Sequence, residues 1–140
     1  MRRKAKAALP IPLEAAEQSA LFRWAALSEA KYPDLHWLYA VPNGGSRHLL
    51  EAVHLKEQGV KSGVPDICLP SPRGGFHGLY IELKRQHGGV TSENQTKWIE
   101  HLKAQGYAVA LCRGFYEAEQ VITQYLKHKT NSQEMEQTHD

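Results

Sequence analysis

The stretch GVPDICLPSPRGGFHGLYIELKR, residues 63–85, sets an acid in each of two apolar runs, and few folds tolerate that. Asp66 leads into Ile67, Cys68 and Leu69, while Glu82 follows Leu79, Tyr80 and Ile81. Pro70, Pro72, Gly74, Gly75 and Gly78 lie between and supply turn chemistry, so the segment reads as a hairpin with a connection longer than two residues. Pairing symmetric about Gly74 sets Ile67 opposite Ile81, Cys68 opposite Tyr80, and Asp66 opposite Glu82; a bulge would shift this by one residue. The two carboxylates then stand roughly 5 Å apart on one sheet face, where like charges destabilise a pair. Side chains alternate along a strand, so Lys84 shares the face of Glu82 and Leu83 points into apolar packing. One lysine against two acids leaves a place for a cation. A solvated, salt-bridged hairpin meets the bare D…ExK spacing equally well. The apolar runs around the acids favour a task for them, because central strands seldom carry charge otherwise.

The remaining elements follow from periodicity. Leu13, Ala16, Ala20, Leu21, Trp24 and Leu27 recur at helical spacing from Leu13 to Ala30, with Pro12 suited to the first turn. HWLYAV (36–41) reads as a strand ended by the loop Pro42, Asn43, Gly44, Gly45. Ser46 is placed to cap a second helix through Leu49, Leu50, Val53 and Leu55 that stops at Gly59. Beyond the hairpin, Ser92 and Gln95 fit a capping box opening a helix with Trp98, Ile99 and Leu102 on one face and Gly106 at its end. YAVALC (107–112) is a further strand, and Tyr116 to about His128 is a last helix on Ala118, Val121, Ile122, Tyr125 and Leu126. The order predicts an α/β domain, a mixed sheet flanked by helices.

With 140 residues, 41% of them hydrophobic, the chain suffices for one domain with a real core and not for two. We expect it over 11–128, between a basic tail at 1–10 and a polar, disordered tail at 129–140. The formal charge of +2 is too small to argue for an anionic partner unaided. Its distribution says more, with Lys61, Arg73, Lys84, Arg85 and Lys97 surrounding the hairpin. Cys68 and Cys112 fall within strand patterns and lack zinc spacing, so buried free thiols are expected. No signal-peptide core and no run of eighteen apolar residues occurs, which predicts a soluble, intracellular protein without a membrane partner.

These elements resemble the PD-(D/E)xK nuclease superfamily, whose core runs helix, three strands, helix, strand. The motif stands here as Pro65-Asp66 and Glu82-Leu83-Lys84. More narrowly, EQSALFRWA, VPNGG, GVKSGVPD, GLYIELKR, SENQ and AQGYAVALCRG resemble, in order, the virus-type replication-repair nuclease family, VRR-NUC. The likeness covers about Glu14 to Leu126 and implies a restriction-endonuclease-like core. It further implies that Asp66 and Glu82 bind a divalent metal, with the Leu83 carbonyl as a further ligand, and that Lys84 positions or activates the attacking water. A family acid on the first helix corresponds to Glu17, paired with Gln18, with Glu14 one turn earlier as the alternative. Gln95 matches a polar position near the site, and its capping role explains it equally well.

Such a site suits Mg²⁺, with Mn²⁺ able to substitute, because a few carboxylates leave room for water and substrate phosphate. Asn43, Gly44 and Arg47 in a loop, with Lys61, Arg85 and Lys97, are candidates for phosphate contacts, although each alone reads as ordinary solvated surface. Trp24, Trp37 and Trp98 are expected in the core rather than as base-stacking platforms. The eight histidines are scattered and no HExxH occurs, so a zinc hydrolase is disfavoured. The leading expectation is a metal-dependent, structure-selective DNA endonuclease. The resemblance implies a homodimeric Holliday-junction resolvase of phage or prophage replication, recombination or repair, working in the cytoplasm of a bacterial host. A flap or restriction-type nuclease, or a non-catalytic nucleic-acid-binding module, is the alternative.

Overall fold

The computed structural model describes residues 13–42 and 49–133. Pro12, the loop at 43–46 with the Ser46 cap, and the tail from residue 134 lie outside them. Helix α1 spans Glu14–Leu27, β1 Tyr39–Ala40, α2 Leu49–Glu57, β2 Ile67–Leu69, β3 Leu79–Lys84, α3 Glu93–Ala104, β4 Ala108–Arg113 and α4 Phe115–Lys127. The strands form one mixed sheet in the order β1-β2-β3-β4. The first three are antiparallel, and β4 runs parallel to β3 after the α3 crossover.

The hairpin has the symmetric register, Ile67 opposite Ile81, Cys68 opposite Tyr80 and Leu69 opposite Leu79. Alternation then sorts the faces. Ile67, Leu69, Leu79, Ile81, Leu83 and Cys112 join Leu21 and Ala25 of α1 and Ala118, Ile122 and Tyr125 of α4 in a single core. Tyr80, Glu82 and Lys84 consequently project from the other face, toward α3. Both thiols are free and buried, as their strand positions predict.

The expected strand at 36–41 is mostly something else. Residues Pro33–Trp37 form a 3₁₀ turn, and only Tyr39–Ala40 pair. Pro33 sits in its first turn with φ already fixed for a helix, and Leu35, 2% exposed, drops into the core from that turn. Trp37 is left exposed rather than buried. Trp24 does pack on the core. Helix α2 is peripheral, with Leu50 and Val53 exposed.

The last described residues also depart from expectation. Gly74 N–H donates to the Lys129 carbonyl at 3.0 Å, Thr130 bridges Arg73, and Asn131 both accepts from Gly75 N–H and donates to the Phe76 carbonyl. Residues 129–131 thus strap the hairpin turn, because Gly74 and Gly75, both at positive φ, turn their amides outward to unpaired acceptors. The buried Tyr125 hydroxyl adds a 2.6 Å bond to the Ser71 carbonyl.

The face assignment is testable by truncation. Ile81→Ala should cost about 2–5 kcal/mol in urea unfolding, whereas Leu111→Ala, on the other sheet face and 41% exposed, should cost under about 1 kcal/mol. Equal losses would contradict the two-faced sheet.

Candidate active site

The strand β3 carries Glu82 and Lys84 to the point where the chain entering β2 brings Asp66. Val41 N–H donates to the Asp66 carbonyl at 2.7 Å, so pairing with the β1 side holds that backbone. Asp66 Oδ2 accepts from Leu83 N–H at 2.8 Å, aligning the aspartate against the strand that bears its partner acid. Glu82 is 2% exposed and Lys84 6%. Their charged ends lie 3.6 Å apart, Lys84 Nζ to Glu82 Oε1.

Gln95 joins the two. Its Nε2 donates to Glu82 Oε1 at 2.8 Å, and its Oε1 accepts from Lys84 Nζ at 3.0 Å. The same Oε1 accepts from Ser92 N–H at 2.9 Å while Gln95 N–H donates to Ser92 Oγ at 3.2 Å, completing the capping box of α3. Cap and site contact are therefore one arrangement. The first turn of α3 is held close by Gly63, where an added Cβ would fall 2.7 Å from the Asn94 backbone.

Glu82 Oε2 has no hydrogen-bond partner among the described residues although it is buried. A buried, unsatisfied carboxylate oxygen is costly. Burial pushes the Glu82 carboxyl up to about 8, the Asp66 carboxylate adds to the rise, and Lys84 opposes it. Divalent charge at this oxygen would reverse the penalty.

Glu17 is buried on α1 but faces a different duty. Its Oε1 accepts from Gln86 Nε2 at 2.9 Å, and its Oε2 accepts from Phe115 N–H, the first amide of α4. Gly114 precedes that helix with φ 87 and offers no side-chain cap, so the α1 carboxylate replaces one and meets the positive helix end. Each Glu17 oxygen thus already accepts one hydrogen bond. Glu14 is exposed, and its Oε1 approaches Gly89 to 3.9 Å from the Cβ position that Lys84 Cδ approaches to 3.7 Å. Glu14 and the Lys84 stem thus both approach the Gly89 position. Gln18 is half-buried next to Glu17 on α1. Sequence reasoning missed Gln86; its position two residues past Lys84 was the available signal.

The candidate phosphate contacts divide. Lys61 is exposed between α2 and β2, and Lys97 is exposed on α3 with a 3.4 Å ion pair to Glu93. Arg85 is half-buried at the end of β3, its carbonyl accepting from Arg113 Nη1. Asn43, Gly44 and Arg47 lie outside the described residues.

A model of the VRR-NUC domain matches residues 8–116, well over half of the chain. This chain belongs to the VRR-NUC family. A solved structure titled "VRR_NUC domain protein" is 29% identical and covers 87% of this chain and 94% of its own, with a TM-score of 0.74. Curated proteins supply no match. Membership gives the chain a nuclease-type function with DNA as substrate, and the sheet and helices above are the PD-(D/E)xK-like fold.

No group of three or more His, Cys, Asp or Glu side chains poised to hold a metal occurs among the described residues of this VRR-NUC domain. Asp66 and Glu82 make a two-acid site, the donor set that suits Mg²⁺ retaining several waters. The unpartnered Glu82 Oε2 fits that occupant. No helix among the described residues is long and apolar enough to cross a membrane.

The raised Glu82 value fixes a pH dependence. The fold holds a proton that the unfolded chain, at its ordinary value of 4.5, has lost, so this group lowers stability progressively from there to about pH 8. In the metal-free VRR-NUC domain, Glu82→Gln should therefore unfold at higher temperature than the parent at pH 8, with the gap closing toward pH 5. Parallel melting curves across that range would refute the buried-carboxylate account.

Proposed function

We propose that this domain is a Mg²⁺-dependent endonuclease that hydrolyses phosphodiester bonds in branched DNA, acting as a homodimeric Holliday-junction resolvase in phage or prophage recombination and repair. The observation that carries the reading is the buried, unpartnered Glu82 oxygen beside Asp66, with Lys84 anchored on the same face. A DNA-binding face would gain nothing from a buried and a half-buried carboxylate repelling phosphate.

Asp66, Glu82 and the Leu83 carbonyl would hold the ion. When bound, a divalent ion lowers the pKa of attached water and offsets charge on the phosphoryl oxygens. Asp66 is pre-aligned for this by the Leu83 amide, and its charge acts on Glu82. Lys84 is a compact point charge with three donors; Gln95 and Glu82 Oε1 occupy part of that capacity and fix its direction. It can donate to the attacking water or to the scissile phosphate. Gln95 holds both partners through one side chain, so it positions rather than reacts. Of the helix-one acids, Glu17, which also secures α4, or Glu14 one turn earlier would join the site. Two copies related by a two-fold axis would present two such sites to opposed strands of a four-way junction. Recognition of shape through phosphates suits a small domain whose cations, Lys61, Arg85 and Lys97, surround the site.

The test is cleavage of labelled four-way junction, flap and linear duplex in Mg²⁺. Symmetric junction cuts are expected from the parent, and Lys84→Ala should slow them by on the order of 100-fold or more. Cutting of flaps alone would replace the resolvase with a flap nuclease on the same site. Calorimetry should show Mg²⁺ or Mn²⁺ binding that Asp66→Asn and Glu82→Gln abolish; unchanged binding in both variants would end the two-acid assignment. Light scattering should give twice the chain mass, and a monomer at working concentration would remove the dimer.

A further inference from the structure

Helices α2 and α3 enclose a cleft of about 540 Å³ lined by Ala52, Leu55, Lys56, Val60, Lys61, Ser62, Asn94 and Trp98. Its size falls within the roughly 300–1,000 Å³ range of small-molecule pockets. Trp98 is half-buried and stands apart from the apolar core that Trp24 joins, so its indole is a wall of this cleft rather than core packing. Ala52, Leu55 and Val60 supply aliphatic walls and Ser62 and Asn94 polar ones, and the two charged side chains lining it, Lys56 and Lys61, are both cationic and exposed.

The cleft and the acids share α3 and the chain entering β2. Gly63 presses against Asn94, and the following residue, Gln95, touches Glu82 and Lys84. Trp98 is three residues further along α3, a rise of about 4.5 Å on a neighbouring helix face. Lys61 lies five residues ahead of Asp66 on the chain that enters β2. A flat aromatic wall, an apolar floor and two flanking cations are what an unpaired nucleotide requires, with its base stacked and its phosphates neutralised.

We propose that this cleft is a subsite for an unpaired nucleotide of the DNA substrate adjoining the scissile phosphate, with Trp98 stacking on its base and Lys56 and Lys61 contacting its phosphates. This rests on the DNA-nuclease reading above and adds to it a preference for substrates with locally unstacked bases. Fully paired duplex has no base to offer Trp98, so the subsite selects against it. Lys56 and Lys61 serve any sequence, since phosphates carry no base identity.

The experiment is fluorescence anisotropy of a labelled oligothymidylate and of a blunt duplex, with the metal omitted so that nothing is cut. Trp98→Ala should weaken oligothymidylate binding on the order of tenfold or more, leave duplex binding within about twofold, and Trp98→Phe should retain most of the affinity. Lys56→Ala with Lys61→Ala, surface changes that spare the fold, should reduce the slope of log affinity against log salt by one to two phosphate contacts' worth. Thermal unfolding of each variant checks that the fold persists. Equal binding of oligothymidylate by the parent, Trp98→Ala and the double lysine variant would overturn the subsite while leaving the nuclease intact, because junction cleavage would continue. A parent that binds neither DNA nor cuts it would overturn both.

Discussion

Two carboxylates at the end of a buried hairpin repel each other, and the surrounding structure is arranged around that repulsion. Desolvating Glu82 beside Asp66 costs several kcal/mol if nothing offsets it. The chain offsets only part. Gln95 and Lys84 cover one oxygen of Glu82, and a strand amide covers one oxygen of Asp66. The other glutamate oxygen is left without a protein partner. Stability has been given up at one atom where a cation can return it, the usual relation between a strained site and its task.

Gln95 shows how local and tertiary demands converge. A capping box needs Gln or Glu three residues after Ser92. The site needs a neutral group that donates to Glu82 and accepts from Lys84. Glutamine satisfies both, whereas glutamate would satisfy the cap and add a third negative charge. The close approach at Gly63 brings this helix start within reach of β3, so a turn residue between α2 and β2 sets the distance between a cap and a site.

The hairpin was legible because its register follows from alternation and turn chemistry, both local. So were the Ser92 cap and the succession of elements around the hairpin. The strand expected at 36–41 was misread because Trp37, Leu38 and Tyr39 carry strand-like composition, while the decisive residues, Pro33 and Leu35, act through a tight turn and a core position. Trp98 was expected inside because periodicity places it on the apolar face of α3; only the position of α2 reveals that this face borders a cleft. The role of Glu17 was beyond local reading altogether. Its amide partner lies 98 residues away and is defined by a glycine that supplies no cap of its own.

That long reach bears on how the chain matures during synthesis. Helix α1 leaves the ribosome early with a carboxylate destined for burial, and the amide that receives it is made nearly a hundred residues later. Until Phe115 emerges, Glu17 has reason to stay in water, and α1 with it. The family match ends at residue 116, one residue past that amide. A nascent chain stopped before this point would hold Asp66, Glu82 and Lys84 yet lack the amide that receives the carboxylate of its first helix.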